Sequence, residues 1–209
     1  MELTQERVIP KQMNPKNGML IEHLERYKFA AAFASGRVLD IACGAGYGSE
    51  LLLEGSKRGA IKEIVGADID EIALEYAKEN YTFDNVTYRV ADALSPKLKE
   101  ELGSFDAIVS FETIEHFEGD EVFLKNIYDM LKPGGVAIIS TPFGRGKDQP
   151  CKNPYHVYQY REEEFLEVLS IFDEVEMYHQ RDSEIEIPLE GKKYYLMVAV
   201  CRKKHKNAI

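Results

Sequence analysis

The sequence predicts a doubly wound α/β sheet, and three observations carry that expectation. Short, β-branched apolar runs recur along the chain, amphipathic helical stretches separate them, and the first such run ends in closely spaced glycines. Runs apolar on both faces and separated by helices indicate parallel strands covered on each side. With 209 residues and 44% hydrophobic content, the chain suits one domain with a sizeable core, 1–209 throughout.

The elements follow in order. "NPKNGMLIEHLERYKFAAAFASG" predicts a helix with Asn14 as N-cap, Pro15 in the first turn and an end at Gly36. Residues 1–36 are therefore read as a helical cover. "RVLDIA" (37–42), "EIVGADI" (63–69), "VTYRVADA" (86–93), "DAIVSFE" (106–112) and "GVAIIST" (135–141) predict strands, with helices such as "DEIALEYAKENY" and "EVFLKNIYDML" between them. "REEEFLEVLS" reads as a further helix. "FDEVEMYHQR" and "KKYYLMVAVCRKK" then read as strands with no helix between, so they are expected to be antiparallel. The segment 143–160 is a loop expected to cover an acceptor site.

Composition narrows the partners. The net charge of −10, from 26 basic and 36 acidic residues, works against long nucleic acids and anionic membranes. The one basic cluster, Cys201 to Lys206, reads as a solvated tail. Cys43, Cys151 and Cys201 form neither a disulfide framework nor a CxxC pattern. Together with an opening "MELTQERVIP" unlike a signal peptide and no run long enough to span a bilayer, they predict a cytoplasmic protein. A small-molecule acceptor is the expected partner, with no membrane; the oligomeric state is left open, a homodimer included.

In open α/β sheets, ligands sit beyond the carboxyl ends of the strands. "LDIACGAGYGS" places Gly44 and Gly46 there, where the lack of a Cβ lets a ligand approach the backbone. A dinucleotide fingerprint would continue to a third glycine, but position 49 is serine, and Asp40 would repel a pyrophosphate. Asp68, 24 residues after Gly44, stands where an acid accepts from ribose hydroxyls, and Asp92 ends the third strand where it can meet an adenine amine.

The segments "VLDIACGAGYGS", "VGADID", "VADAL", "FDAIVSFETIEH" and "LKPGGVAIISTP", in order, resemble the class I S-adenosylmethionine-dependent methyltransferases, of the type 11/12 kind. That resemblance implies a Rossmann-like seven-stranded sheet in the order 3-2-1-4-5-7-6, with the seventh strand antiparallel. It implies that Asp40 and the backbone from Ala42 through Gly44 and Ala45 to Gly46 hold the methionyl part. Asp68 would take the ribose and Ile69 the adenine face. Asp92 with Ala93 would read the adenine edge, and Phe111 would stand near the sulfonium. Arg26 and Tyr27 would reach the same rim, Tyr27 towards the carboxylate. The cofactor chemistry agrees independently: S-adenosylmethionine has a ribose, an adenine and a positive sulfur but no phosphate, which suits acids at three strand ends.

"SFETIEHFEG" after the fourth strand carries Glu112, Glu115 and His116. On a helix these three would share a face. One reading makes His116, with Glu112, the catalytic group that takes the acceptor's proton. The other makes Glu112, Glu115 and His116, with His156 as fourth ligand, a divalent-metal site. The E-x-x-E-H pattern is similar to ubiquinone-pathway O-methyltransferases and, with His156, to small-RNA 2′-O-methyltransferases. Such ligands suit Mg²⁺, or with two imidazoles Mn²⁺ and its neighbours.

The expected reaction is methyl transfer to a hydroxyl of a sugar, nucleotide-sugar or other metabolite, since the proline-rich signature of amino-group methylation is replaced by "SFET". Arg145, Lys147, Tyr155, Tyr158 and Tyr160 are candidate acceptor contacts. Methylation of a small amine, RNA 2′-O-methylation, a silent cofactor-binding protein and a nicotinamide dehydrogenase are the alternatives.

Overall fold

The computed structural model describes residues 7–205; residues 1–6, within the opening segment, and Lys206, the end of the basic cluster, lie outside it. Its helices are α1 (Gly18–Ala31), α2 (Gly48–Gly55), α3 (Glu71–Asn80), α4 (Leu98–Leu102), α5 (Asp120–Met130) and α6 (Glu162–Val168). Its strands are β1 (Gly36–Ile41), β2 (Ile61–Asp68), β3 (Val86–Val90), β4 (Phe105–Phe111), β5 (Leu131–Pro142), β6 (Glu174–Arg181), β7 (Glu184–Glu186) and β8 (Leu196–Arg202).

These strands form one sheet in the order β3-β2-β1-β4-β5-β8-β6-β7. β1 to β5 are parallel, and β8 runs antiparallel between β5 and β6. The expected seven-strand order is present, with β8 in the place of the seventh strand. The eighth strand is an addition: β7 pairs with β6 in a tight hairpin whose turn places Asp182 at φ 53°.

Alternation along the strands divides the core into two layers. Leu39, Ile108, Ala137 and Ala199 face one side with Phe123, Leu124 and Phe165 of α5 and α6. Val38, Val109, Ile138 and Val200 face the other, with Tyr27, Ala30 and Leu52 of α1 and α2. Each such fully buried aliphatic side chain contributes roughly 1.5–3 kcal/mol over its exposed state, so the central strands are held from both faces.

Two local expectations change. Asn17, not Asn14, caps α1, its side chain accepting from Leu20 N at 3.1 Å. Asn14 instead closes the preceding turn, with Asn17 N donating to Asn14 O at 2.8 Å and Lys16 N to its side chain at 2.9 Å. Asn at such a position favours local backbone bonding over helix entry. After β4 the chain forms only a 3-10 turn, Ile114–His116, rather than an α-helix.

The 143–160 segment is tied down at several points. Phe143 and Tyr160 form a bridge, and Val157 N and Tyr158 N both donate to Glu115 O at 2.8 and 3.0 Å. Lys147 pairs with the buried Asp120 at 2.6 Å, and Tyr160 donates to the same carboxylate at 2.9 Å. Arg145 is engaged with Pro150 O at 2.8 Å. Lys147 and Arg145 thus brace the loop.

Candidate functional site

Sequence order reverses between β1 and β4, and a cleft of about 740 Å³ opens at the carboxyl ends of the strands there. Such a switch point is where open α/β sheets bind ligands. Two non-glycine residues at its strand ends adopt left-handed backbone: Ala42 at φ 61° and Glu112 at φ 50°. Such residues each cost roughly 1–3 kcal/mol and persist only where the surroundings impose them.

At one end, the loop after β1 lies open. Gly44 has φ 51° with nothing within 4 Å of the position a Cβ would take, so that side of the loop is free for a ligand. Gly44 N donates to Asp68 Oδ2 at 2.7 Å, and Asp70 N to Asp68 Oδ1 at 2.9 Å. Each carboxylate oxygen can accept a second bond, so Asp68 both orders the loop and keeps acceptor capacity. Ala42, Gly44, Ala45, Asp68 and Phe111 line the cleft as expected. Gly46 stands just behind it. Ile69 and Asp92 are exposed on its flank and Ala93 is half-buried beside them; Asp92 Oδ1 accepts from Leu94 N at 2.8 Å.

Tyr27 and Asp40 are joined to each other at this end. Asp40 is buried behind the cleft, and the Tyr27 hydroxyl lies 3.1 Å from each of its oxygens. Tyr27 thus lines the cleft with its hydroxyl engaged by Asp40. Burial, with Asp68 adding to it, pushes the Asp40 carboxyl up to about 7 despite the Tyr27 hydrogen bond.

The cation at that rim is Arg26, 1% exposed yet lining the cleft. Its Nη1 donates to Gln180 Oε1 at 2.8 Å, its Nη2 stands 3.9 Å from Glu112 Oε1, and its Nε has no partner. A buried guanidinium N–H left unpaired is costly and marks a place where a ligand acceptor would be gained. His23, one turn earlier, also lines the cleft; its Nδ1 lies 3.1 Å from the Tyr47 hydroxyl, and burial followed by the Arg26 charge holds its pKa well below the usual range.

The other end gathers residues from distant segments. The Glu115 carboxylate is fully buried; Oε2 accepts from Thr141 at 3.0 Å and Oε1 has no partner. Burial, then the Glu112 charge, raises its pKa well above the usual carboxylate range. His116 Nδ1 lies 2.9 Å from Tyr155 O. A carbonyl only accepts, so Nδ1 carries the proton and a neutral ring keeps its lone pair on Nε2. The His156 ring meets that of His116 edge-on at 4.9 Å, and ligand atoms of Glu115, His116 and His156 lie within 4.8 Å of one another.

One carboxylate and two imidazoles, with an orphaned buried carboxylate oxygen among them, fit a divalent cation. Glu112 stands outside this group. Its left-handed backbone turns the carboxylate to Ser140, which donates to Oε1 at 3.0 Å, and towards Arg26. The expected shared face of Glu112, Glu115 and His116 is lost because the turn is 3-10 and not α-helical.

Sequence reasoning missed Tyr195 and Leu196, which close the acceptor end from the start of β8, and Asn153 from the loop. Only the exposure of aromatic Tyr195 at a strand start hints at such a role, and the sequence does not show exposure. Tyr155, expected as an acceptor contact, does line the cleft and is 50% exposed, whereas Tyr158 and Tyr160 do not.

Residues 39–139 match the model of a methyltransferase domain family. A probable S-adenosylmethionine-dependent methyltransferase of Mycolicibacterium smegmatis is 32% identical over 172 residues, covering 80% of this chain and 63% of that protein. A ubiquinone biosynthesis O-methyltransferase of Mesorhizobium japonicum is 34% identical over 113 residues, 54% of this chain and 43% of the relative. The chain thus spans less than two thirds of the length of these curated relatives. A chain from the complex of the Haloferax volcanii Trm112 methyltransferase activator with a methyltransferase superposes with a TM-score of 0.69 at 18% identity, covering 92% of this chain and 94% of the other. That likeness is one of fold.

Proposed function

We propose that the protein is an S-adenosylmethionine-dependent methyltransferase, as its similarity to a methyltransferase domain family and to the Mycolicibacterium relative supports, and that it transfers the sulfonium methyl group to a hydroxyl of a small molecule, a sugar, nucleotide-sugar or other metabolite. The observation that carries this is the division of one cleft into an open glycine loop with Asp68 at one end and the Glu115, His116 and His156 group at the other.

At the first end, Asp68 accepts from the ribose hydroxyls, with Ile69 and the Asp92–Ala93 turn against the adenine. The backbone from Ala42 to Gly46 holds the methionyl part, and Phe111 walls the sulfonium. Arg26 takes the carboxylate role first expected of Tyr27, because it is a cation in the cleft lining with bonding capacity left over, while the Tyr27 hydroxyl is occupied by Asp40. At the second end, His116 Nε2 takes the proton of the hydroxyl as its oxygen attacks the methyl carbon and the sulfur leaves as a thioether. The Tyr155 carbonyl holds the ring in the competent tautomer. Glu112 adds negative potential beside the same face.

The same Nε2, with Glu115 and His156, would hold a divalent ion, which when bound lowers the pKa of the acceptor hydroxyl. One lone pair cannot serve a proton and a metal together, so the two uses exclude each other. A turnover assay on hydroxyl and amine acceptors, with EDTA-treated enzyme alone or resupplied with Mn²⁺ or Mg²⁺, tests the proposal. S-adenosylhomocysteine should appear with hydroxyl acceptors. No turnover on any acceptor sinks the enzymatic reading, transfer to amines alone sinks the hydroxyl, and full activity after EDTA removes the metal.

A further inference from the structure

We infer that Tyr88 and Ser49 form a hydroxyl lock that positions the cofactor loop from behind. This rests on the proposed reading of Ala42 to Gly46 as that loop. Ser49 occupies the place where a dinucleotide fingerprint has its third glycine, and it is fully buried. Tyr88 comes from β3, at the edge of the sheet, where its neighbours Thr87, Arg89 and Val90 are exposed. Its own side chain turns inward and reaches the loop 42 residues earlier in the chain.

Two glycines make the path. A Cβ on Gly66, the β2 partner of Tyr88 in register, would stand 2.7 Å from Tyr88 Cδ1 and 2.8 Å from Cε1. On Gly46 it would stand 2.9 Å from the hydroxyl and 3.0 Å from Cε1. The ring fills both spaces, and its hydroxyl ends 3.2 Å from Gly46 O, 3.0 Å from Tyr81 O and 3.3 Å from Ser49 Oγ. The phenol has one proton, and both carbonyls can only accept. It therefore donates to one carbonyl at a time, while the Ser49 hydroxyl is the partner able to donate back. Burial raises the phenol's pKa, so the proton stays on it.

A phenylalanine would fill the same volume. What the hydroxyl adds is a restraint on Gly46 O, between the open Gly44 and Ser49 near the N-terminus of α2. Tyr88 touches neither cofactor nor acceptor, so it is a positioning residue. Its effect belongs in cofactor affinity and not in the methyl-transfer step.

The test is calorimetric titration of S-adenosylhomocysteine into wild type, Tyr88→Phe, Ser49→Ala and the double variant, with thermal melts and steady-state kinetics on the same samples. Losing one intramolecular hydrogen bond should raise the Kd and the cofactor KM about 3- to 10-fold in Tyr88→Phe. Ser49→Ala should be weaker, and the double variant should fall short of the product of the two effects. The kcat at saturating cofactor should stay within about twofold, as for lost uniform binding. An unchanged Kd beside a lowered melting temperature reduces Tyr88 to packing and overturns the lock. So does a fall in kcat as large as the rise in Kd. Wild type that binds no S-adenosylhomocysteine fails the cofactor reading itself; wild type that binds it as tightly as Tyr88→Phe fails the lock alone.

Discussion

The two ends of the cleft are built differently. The cofactor end comes from strand ends that are neighbours in the sheet, and its key contacts are made by backbone: Gly44 N and Asp70 N on Asp68. The acceptor end is assembled from β4's exit, the 143–160 loop and the start of β8, and its key contacts are side chains of residues some 40 positions apart. Backbone contacts survive many substitutions, so the first end is generic to the fold. Side-chain contacts between distant segments are free to vary, so on the proposed function the second end is the one that would select the acceptor.

That contrast predicts separable losses. The largest expected effect is on turnover: His116→Ala should lower kcat by about 10²- to 10⁴-fold, the usual worth of a positioned proton acceptor, while leaving the Kd for S-adenosylhomocysteine unchanged. Normal turnover in this variant would take His116 out of the chemistry. Next, Asp68→Ala should weaken cofactor binding by ~100-fold, since bonds to a charged acceptor are worth about 1.5–3 kcal/mol each. Calorimetry reads that loss, and a Kd within threefold of wild type would break the comparison at its cofactor end.

A smaller effect should appear in stability against pH. The folded Asp40 carboxyl is raised to about 7 from an ordinary 3.8. Between those values the native state binds more protons than the unfolded one, so this group's contribution falls as pH rises through the window. Asp40→Asn should therefore gain stability relative to wild type at pH 8 compared with pH 5, in urea denaturation. A difference that is equal at both pH values would mean that Asp40 is ionised throughout. The smallest effect is at the loop's anchor: Tyr160→Phe removes one bond to Asp120 but leaves Lys147, and should cost about 1 kcal/mol with cofactor affinity intact. A change in cofactor Kd there would show that the two ends are not independent.

Legibility in the sequence follows the same division. The places of Gly44 and Asp68 beside the cleft were legible from spacing alone, because a parallel sheet puts every strand end on one side. The partners of Tyr27 and Arg26 were not legible: both residues line the cleft, but that Tyr27 meets Asp40 and Arg26 meets Gln180 depends on contacts far away in the sequence. Glu112 was misplaced for a related reason. A left-handed φ at a non-glycine residue has no marker in the sequence, and it turned the carboxylate away from Glu115.

By itself, the sequence determined the layered sheet and the side on which the cleft opens, since these depend on apolar periodicity and on the handedness of short crossovers; the strand order came from the resemblance that its motifs carry. The tertiary structure alone decided which carboxylate joins His116 and His156, which partners Arg26 and Tyr27 take, and that Lys147 is a brace. Those outcomes depend on burial: a charged or polar group withdrawn from water takes whatever partner lies within reach. That partner comes from a part of the chain that local patterns do not connect to it.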